Sequence, residues 1–152
     1  MSFTLATLKS TVQEYLQVNE TTFNDNLDEF IRESEDRIFS MVQLPEQRKN
    51  VQGAMTLGNR FLSTPSDFYA PFSVAIIDSN VYSYLLFKHP SFIKEYSPNS
   101  TVTGQPKYYS LFDNSAFEIA PVPDAAYTVE LHYLYKPASL TAGADSGTTI
   151  LS

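Results

Sequence analysis

Along Tyr127-Thr128-Val129-Glu130-Leu131-His132-Tyr133-Leu134-Tyr135, every second side chain is aromatic or branched aliphatic. A pleated strand sends successive side chains to opposite faces. Tyr127, Val129, Leu131, Tyr133 and Tyr135 therefore share one face, and Thr128, Glu130, His132 and Leu134 take the other. The stretch reads as a half-buried strand, and its neighbours decide what it pairs with.

Working back from it, Phe117–Ala120 and Lys107–Phe112 read as strands, preceded by a polar loop from Asn99 to Pro106 rich in Ser, Thr, Gly and Pro. Pro90 to Tyr96 is expected to form a short helix with Pro90 or Ser91 at its first positions. Phe72–Ile77 and Val81–Phe87 read as strands joined by an Asp78-Ser79-Asn80 turn, with a Pro65-Ser66-Asp67 loop before them. Val51, Gly53, Met55 and Leu57 alternate up to Gly58-Asn59, which predicts a hairpin returning at Phe61-Leu62. Six or seven short strands of this kind predict a small antiparallel sandwich or barrel-like sheet over residues 45–137.

Residues 1–44 carry a different period. Thr4 is placed to cap a helix whose apolar stripe is Leu5, Leu8, Val12, Tyr15 and Leu16. A second helix is predicted from Asn24 or Asp25, with Leu27, Phe30, Ile31, Ile38 and Val42 on one face and Pro45 ending it. Asp25, Asp28 and Glu29 then fall in its first turns, where the helix dipole favours negative charge. The expected fold class is α+β: an N-terminal helical hairpin, then the β-rich part, then an irregular tail over 138–152, all in one structural domain. The tail is small and polar. Thr148 to Ser152 reads as a strand remnant or the approach to a helix, as in a fragment of a longer protein.

Composition narrows the function. Hydrophobic residues at 43% and charged residues at 18% describe a globular chain rather than a disordered one. The 11 Phe and 10 Tyr, with no Trp, suit half-buried strands and subunit contacts alike. Net charge is −7, with no run of Lys or Arg to displace phosphate counterions, which argues against wrapping nucleic acid. There is no Cys, hence no disulfide framework, thiolate metal site or cysteine nucleophile. Met1-Ser2-Phe3-Thr4 has no basic or apolar leader character, and runs such as Val74 to Ile77 are too short to span a bilayer. A protein made in the cytoplasm is expected.

Sites for chemistry are sparse. His89 and His132 lie on different predicted elements without metal-ligand spacing, and read as ordinary surface or edge histidines. Asp28, Glu29, Glu33, Glu35 and Asp36 are dense on the second helix, but several fall on its solvent side. Arg32 with Asp36 and Glu33 with Arg37 then form plain i,i+4 pairs, not a cleft acid with a shifted pKa. Tyr108, Tyr109, Tyr127, Tyr133 and Tyr135 offer a sugar platform as an alternative, although periodicity places at least one set in the core. No nucleophile elbow, phosphate loop or dinucleotide fingerprint is present, so no enzyme, cofactor or metal is expected, and no binding residue is singled out.

One resemblance adds to this. Phe30-Ile31-Arg32-Glu33-Ser34-Glu35-Asp36-Arg37-Ile38-Phe39, followed by Leu44-Pro45 and Arg48-Lys49, resembles the second helix of head-to-tail adaptor proteins of short-tailed bacteriophages. Phe61-Leu62-Ser63-Thr64-Pro65-Ser66-Asp67-Phe68 is similar to their hairpin return. Gly104-Gln105-Pro106-Lys107-Tyr108-Tyr109, Pro121-Val122-Pro123 and Tyr133-Leu134-Tyr135-Lys136-Pro137 are similar to their later strands, in order, from about Phe3 to Ile150.

The resemblance implies a structural virion protein at the head–tail connector. Such a protein forms a ring, usually of twelve copies, beneath the portal, linking capsid to tail and surrounding the DNA exit channel. Implied partners are the portal protein, neighbouring adaptor subunits, tail nozzle or fibre proteins, and passing DNA without specific binding. No membrane is implied. Members continue into C-terminal helices that are expected to be missing here, since the sequence stops at Ser152. Residues 1–44 hold three basic and eight acidic residues, a net −5 that would keep DNA from sticking if this part borders the channel. The alternative is a tail or fibre module that binds host-surface glycan.

Overall fold

The computed structural model describes residues 4–143, and the reading made of Thr148 to Ser152 falls outside them. The chain forms two compact units. One comprises Met1–Gln47 with Lys136–Ser152, the other Arg48–Tyr135.

The first unit is the expected helical hairpin with a returning segment. Helix α1 (Leu5–Leu16) begins at a capping box, in which the Thr4 hydroxyl accepts from the Thr7 amide and the Thr7 side chain accepts from the Thr4 amide. Helix α2 spans Thr21–Met41. It starts earlier than predicted, so Asp25, Asp28 and Glu29 lie beyond its first turn, which contains no acid. Its buried row is Leu27, Ile31, Glu35 and Phe39, each four residues from the last. Phe30, Ile38 and Val42, expected inside, are exposed, as are Tyr15 and Leu16 of α1. The reason is how narrow the cover is. Leu5, Ile31 and Leu140 make a small core with Leu8 against it, which seals one row of α2 and leaves the wider apolar stripe open.

A charged residue sits in that buried row because the returning chain satisfies it. The Glu35 carboxylate accepts from the Ser139 hydroxyl at 2.5 Å and from the Leu140 amide at 3.2 Å. Leu140–Ala142 then makes one 3₁₀ turn, capped by Ser139.

The second unit is a sandwich of two four-stranded sheets. The first sheet has the order β1 (Arg48–Ala54), β8 (Thr128–Tyr135), β3 (Phe68–Asp78), β4 (Val81–Tyr84). The second has the order β2 (Phe61–Ser63), β7 (Ala116–Ala120), β6 (Tyr108–Leu111), β5 (Leu86–Phe87). Among these eight strands the pairings are antiparallel except the short parallel pair of β5 with β6. Val129, Leu131 and Tyr133 of β8 face Tyr109, Phe117 and Ile119 across one core, with Tyr127 and Tyr135 packed at its rim. The five-residue face read from the sequence is the core face.

Two strand assignments need correction. β1 and β2 do not form a hairpin. β1 pairs along its whole length with β8, and β2 pairs with β7, so the Gly58-Asn59 turn carries the chain from one sheet to the other. Gly58 adopts a φ of +74°, a conformation glycine takes at little cost. Likewise Val81–Phe87 is not one strand. Leu85 enters the core, and the residues before and after it belong to different sheets. The turn before it is as expected: Ser79 and Asn80 have φ of +50° and +65°, the signature of a tight I′ hairpin. β3 begins sooner than predicted. Its Pro71 is tolerated because a bulge lies there and β4 covers only Ala75–Asp78.

Helix α3 (Pro90–Tyr96) is capped by His89, whose ring accepts from the Ser91 amide. It packs beside β6 and β7 over one fully buried carboxylate, Glu118, only 1% exposed. Arg60 reaches Glu118 at 3.3 Å and Lys94 of α3 closes the same oxygen. Arg60 also donates to the Ser97 carbonyl at 2.7 Å, tying the end of α3 down.

Replacing Glu118 by Ala strands the Arg60 charge, and a broken buried pair costs about 3–5 kcal/mol. Nine of the ten tyrosines lie in Arg48–Tyr135 and there is no Trp, so tyrosine fluorescence reports this unit's unfolding. A urea midpoint that hardly moves in Glu118→Ala would mean the ion pair does not hold α3. In the other unit, Glu35→Ala leaves the Leu140 amide without its acceptor, a loss of about 1–3 kcal/mol. Hydrogen exchange at that amide is expected to accelerate, and unchanged exchange would contradict the latch.

Candidate assembly surfaces

The polar residues that chemistry would use are dispersed or already engaged in structure. On α2 the predicted i,i+4 pairs do not form. Arg32 lies 3.9 Å from Glu29, Asp36 binds Lys136 at 3.0 Å, and Asp28 binds Lys9 of α1 at 2.7 Å. The carboxylates therefore act as separate surface contacts, apart from buried Glu35. His89 is a helix cap, and His132, on central strand β8, lies 2.9 Å from Glu130. Among the described residues no group of three or more His, Asp or Glu side chains is placed to hold a metal ion. Among them, too, no helix is long and apolar enough to cross a membrane.

The tyrosines do not make one platform. Tyr109 and Tyr133 are core residues. Tyr108 points to the other face of its sheet, edge-on to Tyr96 at 4.8 Å and to Phe92 at 5.1 Å. Tyr127 donates to Asp124 at 2.6 Å, and Tyr135 carries the Lys49 ammonium over its ring at 3.9 Å. Alternation along β6 sends Tyr108 and Tyr109 to opposite faces, while the three tyrosines at the ends of β8 share its core face.

What the molecule exposes instead is apolar. In the helical unit, Phe30, Ile38, Met41 and Val42 line α2, with Met41 73% exposed and the Phe23 ring 6.1 Å from that of Phe30. In the sandwich, Val81, Tyr82, Tyr84, Leu86 and Phe87 are all exposed along one open side, where β4 and β5 are the last strands of their sheets. Uncovered strand edges bearing large apolar side chains are a hazard in a free monomer and a resource in an assembly. From the sequence, the α2 stripe is expected to be buried and Val81 to Phe87 is expected only to be a strand. The available signal was negative: Val81 to Phe87 contains no charge to guard an edge.

Charge separates the two units. Met1–Gln47 with Lys136–Ser152 holds ten acidic and four basic residues, whereas Arg48–Tyr135 holds seven and six. The acidity is concentrated on the helical unit.

The sandwich's titrating groups are bound into its frame. Asp67 accepts from Lys49 at 2.6 Å and from the Tyr133 hydroxyl at 2.8 Å. The Lys49 bond, then the Tyr133 bond, hold its carboxyl below the usual range. Burial, and then Asp67, push the Tyr133 hydroxyl up to about 12. Glu130 is lowered by Gln52 and then by His132. Tyr127 is pushed up to about 12, chiefly by its bond to Asp124.

A family model described as SU10 adaptor protein matches residues 3–152 of the chain. No curated protein matches it.

The paired shifts predict a pH window. Asp67 and Glu130 bind protons less readily folded than unfolded, so the stability they lend is present above about pH 4 and lost as pH falls through their lowered values. Tyr133 and Tyr127 act oppositely: their contribution is present below about pH 10 and lost as pH rises through about 12. Asp67→Asn is expected to flatten the acid limb of the unfolding midpoint against pH. A limb as steep as in the unaltered chain would show that Asp67 does not carry it.

Proposed function

The chain belongs to the SU10 adaptor protein family, a family of structural phage adaptors, and from that premise we propose that it forms a ring beneath the portal of a phage virion. In this reading it links capsid to tail and surrounds the DNA exit channel. Its partners are the portal protein, neighbouring copies of itself, and tail nozzle or fibre proteins. The observation that carries the reading is the extent of the family match, from residue 3 to 152.

The physical chemistry supports it in two ways. First, the exposed side chains are of the kind that subunit contacts bury: aromatics, Met and Leu, on a helix face and on sheet edges. A chain whose task is association needs such surfaces and no cleft with tuned acids and bases. Second, the acidic helical unit is suited to border a channel through which DNA must slide, because like charge keeps the duplex from adhering.

Light scattering on the full chain, alone and mixed with the portal ring of the same phage, tests this. A stoichiometric shift to a ring-on-ring mass is expected. No association, with the sandwich folded by tyrosine fluorescence, would contradict the adaptor position.

A further inference from the structure

We propose that the two open sides of the sandwich are complementary halves of one head-to-tail contact between copies of this chain, with Phe87 of one copy seated between β1 and β2 of the next. The proposal deepens the ring reading above and rests on it.

One side presents a hole. β1 and β2 are the outer strands of their sheets on that side. Between them lies an open cavity of about 140 Å³, with Val51, Leu62 and Leu131 among its apolar lining and Gln52, Ser63 and Thr64 as its polar lining. Gly53 contributes to the space, since a Cβ there would meet nothing within 4 Å. By volume alone, a space of roughly 150 Å³ has room for a benzene ring.

The opposite side presents the knob. Phe87 stands 57% exposed at the rim of the second sheet, its ring 5.4 Å from that of core residue Tyr109, so it is already on the core side of that sheet. Val81 alternates with Leu85, which places it on the core side of the first sheet. Stacking two sandwiches side by side continues their core, with Phe87 and Val81 filling the space beside Val51 and Gly53.

The backbone agrees. The two-residue turn makes Asp78 and Val81 a hydrogen-bonded pair, and the Leu85 amide bonds to the Val74 carbonyl at 2.9 Å. Alternation then turns the N–H and C=O of Tyr82 and Tyr84 away from β3, towards open space. On the far edge, the Met55 amide bonds to the Tyr127 carbonyl at 2.8 Å, so the groups of Arg48, Asn50, Gln52 and Ala54 turn away from β8. Every pair in this sheet is antiparallel, so β4 and β1 run in opposite directions. A second copy placed alongside therefore adds its β1 to β4 in the antiparallel sense, with donors and acceptors free on both edges.

Size points to the same partner. Five exposed side chains of this rim, three of them aromatic rings of about 150–250 Å² each when fully exposed, offer roughly 500 Å² of apolar surface. A standard interface buries about 800 Å² per partner. A β4–β4 contact about a dyad would leave the cavity empty, whereas the head-to-tail contact fills it and repeats from copy to copy, closing a ring when the rotation allows.

The chain has no cysteine, so introduced thiols report the contact without background. Full chains carrying Tyr84→Cys are mixed with chains carrying Asn50→Cys, Gln52→Cys or Ala54→Cys, assembled, and oxidised. Disulfide formation requires Cα atoms about 4.4–6.8 Å apart, and these three positions sample the register in steps of about 7 Å. One mixture is expected to cross-link above the others, and each variant alone to stay uncross-linked. Cross-linking of Tyr84→Cys alone, or a ring of normal mass with no cross-link in any mixture, overturns this contact while leaving the ring reading standing. Absence of any ring removes both. Phe87→Asp is expected to abolish assembly at concentrations where the unaltered chain assembles, with the unfolding midpoint kept. Rings of full mass from a folded Phe87→Asp chain overturn the proposal, and if that variant does not fold, the cysteine mixtures decide.

Discussion

Strand β8 is hydrogen-bonded along both edges, by β1 on one side and β3 on the other, while its inner face supplies Val129, Leu131 and Tyr133 to the core. Most of the sandwich depends on that double pairing. Beyond β1 the chain crosses to the other sheet at Gly58, where β2 pairs with β7 and the outer edge of β1 stays open. Because β3 occupies the second edge of β8, β4 becomes an outer strand, and its continuation can pair only by joining β6 in the other sheet. The result is a core sealed above and below by two sheets, with strand edges left open at both sides.

The fold was legible where local chemistry decides. Thr4 before Leu5, Pro90 at the start of α3, the Asp78-Ser79-Asn80 turn and the alternation of β8 each carry their cause within a few residues. It was not legible where the partner is distant in sequence. The row of α2 that is buried includes Glu35, and nothing near Glu35 announces that Ser139 and Leu140 will satisfy it. A hydrophobic-stripe reading therefore rotated the helix towards Phe30 and Ile38. Glu118 escaped notice for the same reason, since Arg60 and Lys94 come from two other elements. The hairpin expected after Leu57 does not form because Phe61–Ser63 pairs instead with β7, more than fifty residues on.

The candidate surface was the least legible part. A run such as Val81–Phe87 has the same composition whether it is a central strand or an open edge. Only topology separates the two, by making β4 and β5 the last strands of their sheets. The tyrosine count suited half-buried strands and contacts alike, and the pleat sends Tyr109 and Tyr133 inward while leaving Tyr82 and Tyr84 outside. Buried charges and exposed apolar side chains thus exchange their usual places here. Glu35 and Glu118 fix a returning segment and a helix, while Met41, Tyr84 and Phe87 stand exposed.

The most direct test of a structural adaptor role is an electron-microscopy reconstruction of the virion's tail vertex with this chain located in it. The account predicts a closed ring of copies between the portal and the tail, encircling the DNA path, with the sandwiches side by side. Isolated copies at the periphery of the tail, or no density for the chain at the vertex, would contradict it.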